Sequence, residues 1–140
     1  MKQNIIAVLV LLFIVSGIAS AQSYKIIVNN SNSASSLSKK EVSDLFLKKT
    51  TKWSSGTAAV PVDLAANSSV REAFSTNIHG KAVSAIRNYW QQAAFSGSAT
   101  APPEKSNDAE VIAFVKKTPG AIGYISSGAS ADGVKTISVN

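Results

Sequence analysis

The segment Asn67-Ser68-Ser69-Val70-Arg71-Glu72 brings together an amide side chain, two hydroxyls and a guanidinium at the spacing of a helix start. Asn67 or Ser68 can cap such a helix, and Ser69 with Glu72 has the separation of a capping box. The first helical turn leaves backbone N–H groups without intrahelical acceptors and carries a partial positive charge, so it suits an anion. Arg71 lies within that turn and could add charge. Capping alone explains the same residue types, with Arg71 as a solvated helix residue, and from the residues both readings stay open.

Other chemistry-bearing residues carry less. His79 is the single histidine and sits beside Gly80 near a helix end, where a dipole interaction or plain exposure accounts for it. Ser126-Ser127-Gly128 is not a nucleophile elbow and reads as a turn. With no cysteine, no second histidine and no close carboxylate cluster, no familiar metal set is visible, no cofactor is called for and enzyme activity is not expected. Lys39-Lys40, Lys48-Lys49, Lys52 and Lys116-Lys117 could form a basic surface with Trp53 as a stacking ring. Lysines scattered in this way are usually solvated helix ends and loops, so a nucleic-acid partner is not expected.

The elements that must position these residues follow from pattern. Tyr24-Lys25-Ile26-Ile27-Val28 reads as a strand and the polar run 29–36 as a loop. Ser38-Lys39-Lys40-Glu41 has capping-box spacing, and Val42, Leu45 and Phe46 then share a face, predicting a helix over 39–47. A basic loop holding Trp53 leads to a strand over 58–62, where Pro61 implies an edge or a strand end. The second helix carries Val70, Phe74 and Ile78 on one side and stops at Gly80. A third places Val83, Ile86, Tyr89, Trp90 and Ala93 at helical spacing and ends near Phe95, so the Tyr89-Trp90 pair and Phe95 are expected in the core. The stretch 96–106, with Gly97, Pro102 and Pro103, is too rich in breakers for regular structure. A fourth helix starts near Asn107 and buries Val111, Ile112, Phe114 and Val115. Thr118-Pro119-Gly120 stops it, since Pro119 restricts Thr118 and Gly120 tolerates a left-handed backbone. Strands over 121–125 and 134–139 close the chain. The order β-α-β-α-α-α-β-β predicts an α/β domain, a small mixed sheet flanked by helices.

Composition bounds the rest. The 140 residues carry a formal charge of +6, which favours acidic partners such as phosphate-bearing solutes, anionic polymers or membrane surfaces. Lys2, the apolar run 5–18 and Ala19-Ser20-Ala21 have the layout of an export signal, with cleavage expected after Ala21. The expected organisation is a signal peptide over 1–21 and one domain over 22–140, free in the periplasm or outside the cell.

Several segments carry a resemblance when taken in order: Leu45-Phe46-Leu47, Trp53-Ser54-Ser55-Gly56, Val70-Arg71-Glu72-Ala73-Phe74, Tyr89-Trp90, Phe95-Ser96-Gly97, Pro102-Pro103 and Pro119-Gly120-Ala121-Ile122-Gly123-Tyr124. The set resembles the periplasmic phosphate-binding proteins of ABC importers, over one lobe of their type II periplasmic binding fold. The resemblance implies a solute-binding role for phosphate or a similar small anion, with an ABC permease or another envelope protein as partner. It also raises a homodimer as a stand-in for the other lobe. That family presents a loop of the form Arg-x-x-x-Ser-Gly-Thr to the anion. Anchored on Phe74, the matching segment is Ser68-Ser69-Val70: Ser68 keeps the hydroxyl, Ser69 replaces glycine, Val70 replaces threonine and Leu64 stands where the arginine is expected. Ser68, Ser69 and Val70 are therefore the candidate anion contacts, with Arg71 a separate source of charge. The alternative is an interaction module that keeps the scaffold after losing the ligand.

Overall fold

A computed structural model describes residues 23–140. The signal-peptide expectation over 1–21 lies outside the described residues. Strand β1 (Tyr24–Val28) occupies the centre of a five-stranded sheet of order β2-β7-β1-β6-β3. It pairs antiparallel with β6 (Ala121–Ser126), Ile26 opposite Tyr124, and antiparallel with β7 (Lys135–Val139), Ile26 opposite Ile137. The outer strands β2 (Ser36–Leu37) and β3 (Val60–Pro61) run parallel to β7 and β6 respectively. Pro61 thus sits on an edge strand, where its missing N–H costs no ladder bond.

Helices cover both faces of this sheet. Side chains alternate along a strand, so Tyr24, Ile26, Ile122 and Tyr124 share one face. Against that face pack α1 (Lys39–Phe46) and α2 (Ser69–Phe74): the Phe74 and Tyr124 rings stack with centroids 3.9 Å apart, and Phe46 lies 4.8 Å from Phe74. On the opposite face α4 (Asp108–Lys117) lies across Gly123. A Cβ at Gly123 would stand 2.8 Å from Val111 Cγ1 and 2.9 Å from Val62 Cγ1, so the absent side chain is what lets α4 approach. Gly120 is needed twice over: its φ is +81°, and a Cβ there would meet the Ala58 carbonyl oxygen at 2.1 Å.

Local signals set the helix ends. Ser38 and Glu41 form the expected capping box at α1, and Asn107 accepts from the Glu110 N–H at α4. Lys116 and Lys117 in the last turn of α4 suit its negative end.

Four expectations need correction. The second helix is not uniform: after α2 it widens into a π-helical turn over Ser75–His79, with Ser75 Oγ donating to the Lys81 carbonyl, before Gly80 ends it at φ +64°. The breaker-rich stretch 96–106 contains a short strand, β5 (Glu104–Lys105), which pairs parallel with β4 (Asp63–Leu64). The polar run 29–36 likewise ends in β2. In α3 (Val83–Ser96) Ile86 and Trp90 are buried, but Tyr89 is 38% exposed and Phe95 98% exposed, because α3 meets the rest of the domain along one narrow side.

Candidate functional site

The turn leading into α2 is held from within. Ser68 has an extended backbone, its N–H bonds the Ala65 carbonyl and its Oγ accepts from the Arg71 N–H at 3.3 Å. Ser68, rather than Asn67, is therefore the cap, and the Ser69–Glu72 pair does not form the box. Ser69 and Val70 begin the helix, so their amide N–H groups have no intrahelical acceptor. Ser69 lines an open hollow of about 630 Å³ together with Lys39, Glu72, Thr76 and Asn77. The hollow thus gathers the Ser69 hydroxyl, the Lys39 ammonium and the Glu72 carboxylate along one side of a short helix, beside its first turn.

Arg71 does not share that hollow. Its side chain is buried and turns back toward β4, where Nη1 donates to the Leu64 carbonyl at 3.0 Å and stands 3.1 Å from Glu104 Oε1. Nη2 lies 3.9 Å from Asp63 Oδ2. The reading of Arg71 as a solvated helix residue is overturned by this burial. The structure brings Ser68, Ser69 and Val70 together at the turn and carries the Arg71 guanidinium to the other side of α2.

Arg71 belongs instead to a buried polar cluster. Tyr124 Oη donates to Asp63 Oδ1 at 2.8 Å and accepts from the Leu64 N–H at 3.2 Å. Burial pushes the Asp63 carboxyl above the ordinary carboxylate range, partly offset by Arg71 and by the Tyr124 hydrogen bond. Burial, followed by the Asp63 charge, raises the Tyr124 phenol, which stays protonated and able to donate. Tyr124 and Arg71 both engage Asp63, which is what allows that carboxyl inside a core.

None of Asp63, Tyr124 and Glu104 was among the sequence candidates. A single acid within the apolar run Val60-Pro61-Val62-Asp63-Leu64 is the signal that could have found Asp63. Glu104 gives no such signal, since only the pairing of β5 with β4 brings it to Arg71.

Two residues from the wider survey have defined roles. Trp53 is buried, and its indole N–H donates to the Gly120 carbonyl at 2.8 Å, so it staples the preceding loop to the helix-to-strand turn. His79 is half-buried: Nδ1 lies 2.7 Å from Ser43 Oγ and the ring meets Phe74 edge-on. Burial, with help from Arg71, Lys81 and Lys49, lowers its pKa to about 4, so the ring is neutral. A charged histidine at a helix end and a plainly exposed one are both excluded.

Among curated proteins none matches this chain. Solved structures do. A substrate-binding protein assigned to phosphate ABC transport, with bound phosphate, from Clostridium perfringens aligns at a TM-score of 0.67 and 21% identity, over 84% of this chain and 44% of that one. An ABC-type phosphate transport receptor from Vibrio cholerae aligns at 0.67 and 17%, over 84% and 46%. PstS from Borrelia burgdorferi aligns at 0.60 and 13%, over 84% and 47%. This chain therefore spans less than half the length of these proteins, and at such identities the likeness is one of fold, a single periplasmic-binding-protein-like lobe. The model for the PBP superfamily domain matches residues 23–138, and the chain belongs to that family.

Proposed function

We propose that this domain is a periplasmic substrate-binding module that holds phosphate or a similar small oxyanion at the start of α2. Ser69 supplies its hydroxyl and, with Val70, the free first-turn amides. Ser68 shapes the turn as its cap, and Arg71 braces the turn from behind through the Leu64 carbonyl. Lys39 adds a positive charge on the same hollow. One observation carries the reading: the hollow beside α2 is lined by Ser69 and Lys39 together, so donors and charge converge on one open surface. Transfer of the anion to an ABC permease, with a second copy or another envelope protein completing the binding surface, extends the same reading. Export through the signal peptide over 1–21 places it outside the cytoplasm.

The decisive variant is Ser69→Pro. Ser69 is the first helical residue and Ser68 before it is already extended, at φ −72° and ψ 128°, so proline fits the backbone. It removes one amide donor and the hydroxyl while keeping the helix. Calorimetric titration of the wild type with inorganic phosphate should give measurable heat that Ser69→Pro abolishes. No heat from the wild type at millimolar phosphate, or equal heat from the variant, refutes the site.

A second reading, an interaction module that has lost its ligand, is favoured by one observation, the 98% exposure of Phe95 on α3. Under that reading Phe95→Ser abolishes capture of an envelope partner, whereas Ser69→Pro leaves it intact.

A further inference from the structure

The Arg71 guanidinium opens toward a pocket on the far side of α2 from the hollow described above. This pocket, about 280 Å³, lies between α3 and the β4–β5 pair, and Asp63, Arg71, Arg87, Trp90, Thr100 and Glu104 are among its lining residues. Arg71 carries several N–H donors on a planar fork. Its one hydrogen bond, from Nη1 to the Leu64 carbonyl, and its contact with Glu104 both use the same nitrogen. Nη2 reaches Asp63 only at 3.9 Å, and neither Nη2 nor Nε makes a hydrogen bond among the described residues. The Arg71 side chain is only 4% exposed and lines the cavity, so a guanidinium this incompletely engaged leaves strong donors for an occupant.

The other charges sharpen the chemistry. Arg87, on α3, adds a second guanidinium to the lining and makes no hydrogen bond or ion pair among the described residues. Glu104 is 45% exposed and pairs with Arg71 through Oε1, leaving Oε2 without a partner there. The lining thus holds two cationic and two anionic side chains. A simple anion gains from the arginines but is opposed by Asp63 and Glu104, and a simple cation meets the reverse. A molecule bearing both charges a few bonds apart avoids both penalties. The volume lies at the lower edge of the range for small-molecule sites, which leaves room for an amino acid, and Trp90, Ala94 and Pro102 offer it an apolar wall.

We propose that this pocket binds a small zwitterionic amino acid, its carboxylate on the free Arg71 donors and Arg87, its ammonium on Glu104. The site is separate from the phosphate hollow and does not depend on it.

The test is titration of the protein with glycine, L-alanine and L-serine by calorimetry and amide chemical-shift mapping, with propionate and ethylamine as half-ligands. The expected result is binding of at least one amino acid, shifts centred on residues 100–105 and α3, and affinity at least about tenfold weaker for either half-ligand. Arg87→Ala and Glu104→Gln, both at exposed positions, should each weaken the amino acid at least about tenfold without changing the phosphate response. Ser69→Pro should do the opposite. Absence of binding by all three amino acids at about 10 mM, propionate binding as tightly as alanine, or undiminished binding by Arg87→Ala overturns the proposal.

Discussion

Acidification should expose the environment of His79. In the unfolded chain its imidazole titrates near 6.5, whereas in the fold burial, then the nearby charges of Arg71, Lys81 and Lys49, lower it to about 4. The unfolded state therefore takes up a proton first as the pH falls. The stabilisation from the neutral ring is complete above about 6.5 and is lost progressively between about 6.5 and about 4, because in that window protonation favours unfolding. The separation of the two values sets a ceiling of about 3 kcal/mol; the ring is only half-buried, and solvent screening reduces the expected loss to about 1–2 kcal/mol. Structurally, protonation puts a cation against the Phe74 ring and beside Ser43, at the contact that ties the π-helical turn to α1. Urea unfolding at pH 7.5, 6, 5 and 4 should show the wild type losing this amount relative to His79→Gln, which cannot titrate; the difference isolates His79 from the carboxylates. Proton NMR of the ring gives the folded pKa directly. A value at or above 6.5, or wild type and variant falling in parallel across that window, would refute the reasoning.

Three further outcomes follow from the packing. Gly123→Ala puts a methyl within 3 Å of Val111 and Val62 and should cost about 1–3 kcal/mol, seen as a lower urea midpoint with an unchanged m-value. Tyr124→Phe removes the donor to Asp63 and the acceptor for the Leu64 N–H while keeping the ring stack on Phe74; it should destabilise by about 1–3 kcal/mol, and thermal melts with no change would show that the Asp63 cluster contributes little. Trp53→Phe keeps the ring but loses the bond to the Gly120 carbonyl and should cost about 1 kcal/mol, with faster amide exchange in the 48–58 loop as its local signature.

Elements with their own local code were legible in the residues. The capping box at Ser38, the Asn107 cap, the β-rich run Tyr24–Val28 and the Thr118-Pro119-Gly120 stop each specify a boundary through contacts a few residues apart, and each appears where it was expected. The two-residue strands β2, β4 and β5 were not legible, because so short a segment has no period and exists only through its partner. Helical spacing around α3 marked Ile86 and Trp90 correctly but also enlisted Tyr89 and Phe95; periodicity identifies a face, whereas the neighbouring elements decide how wide a face is covered.

The candidate site divides in the same way. Its helix start was readable from Ser68, Ser69 and Val70, since capping is a local bond between a side chain and the backbone three residues on. The fate of Arg71 was not. Its guanidinium reaches past its own helix to a carbonyl on β4 and a carboxylate on β5, and sequence distance carries no information about which strands meet. By itself the sequence determined where helices begin and end, the α/β class and the family of the scaffold, because those rest on local bonding and hydrophobic pattern. Only the tertiary structure decided that Ser69 faces an open hollow while Arg71 is drawn into the interior with Asp63, Tyr124 and Glu104, because a buried charge goes to whichever partners the packed strands bring within reach.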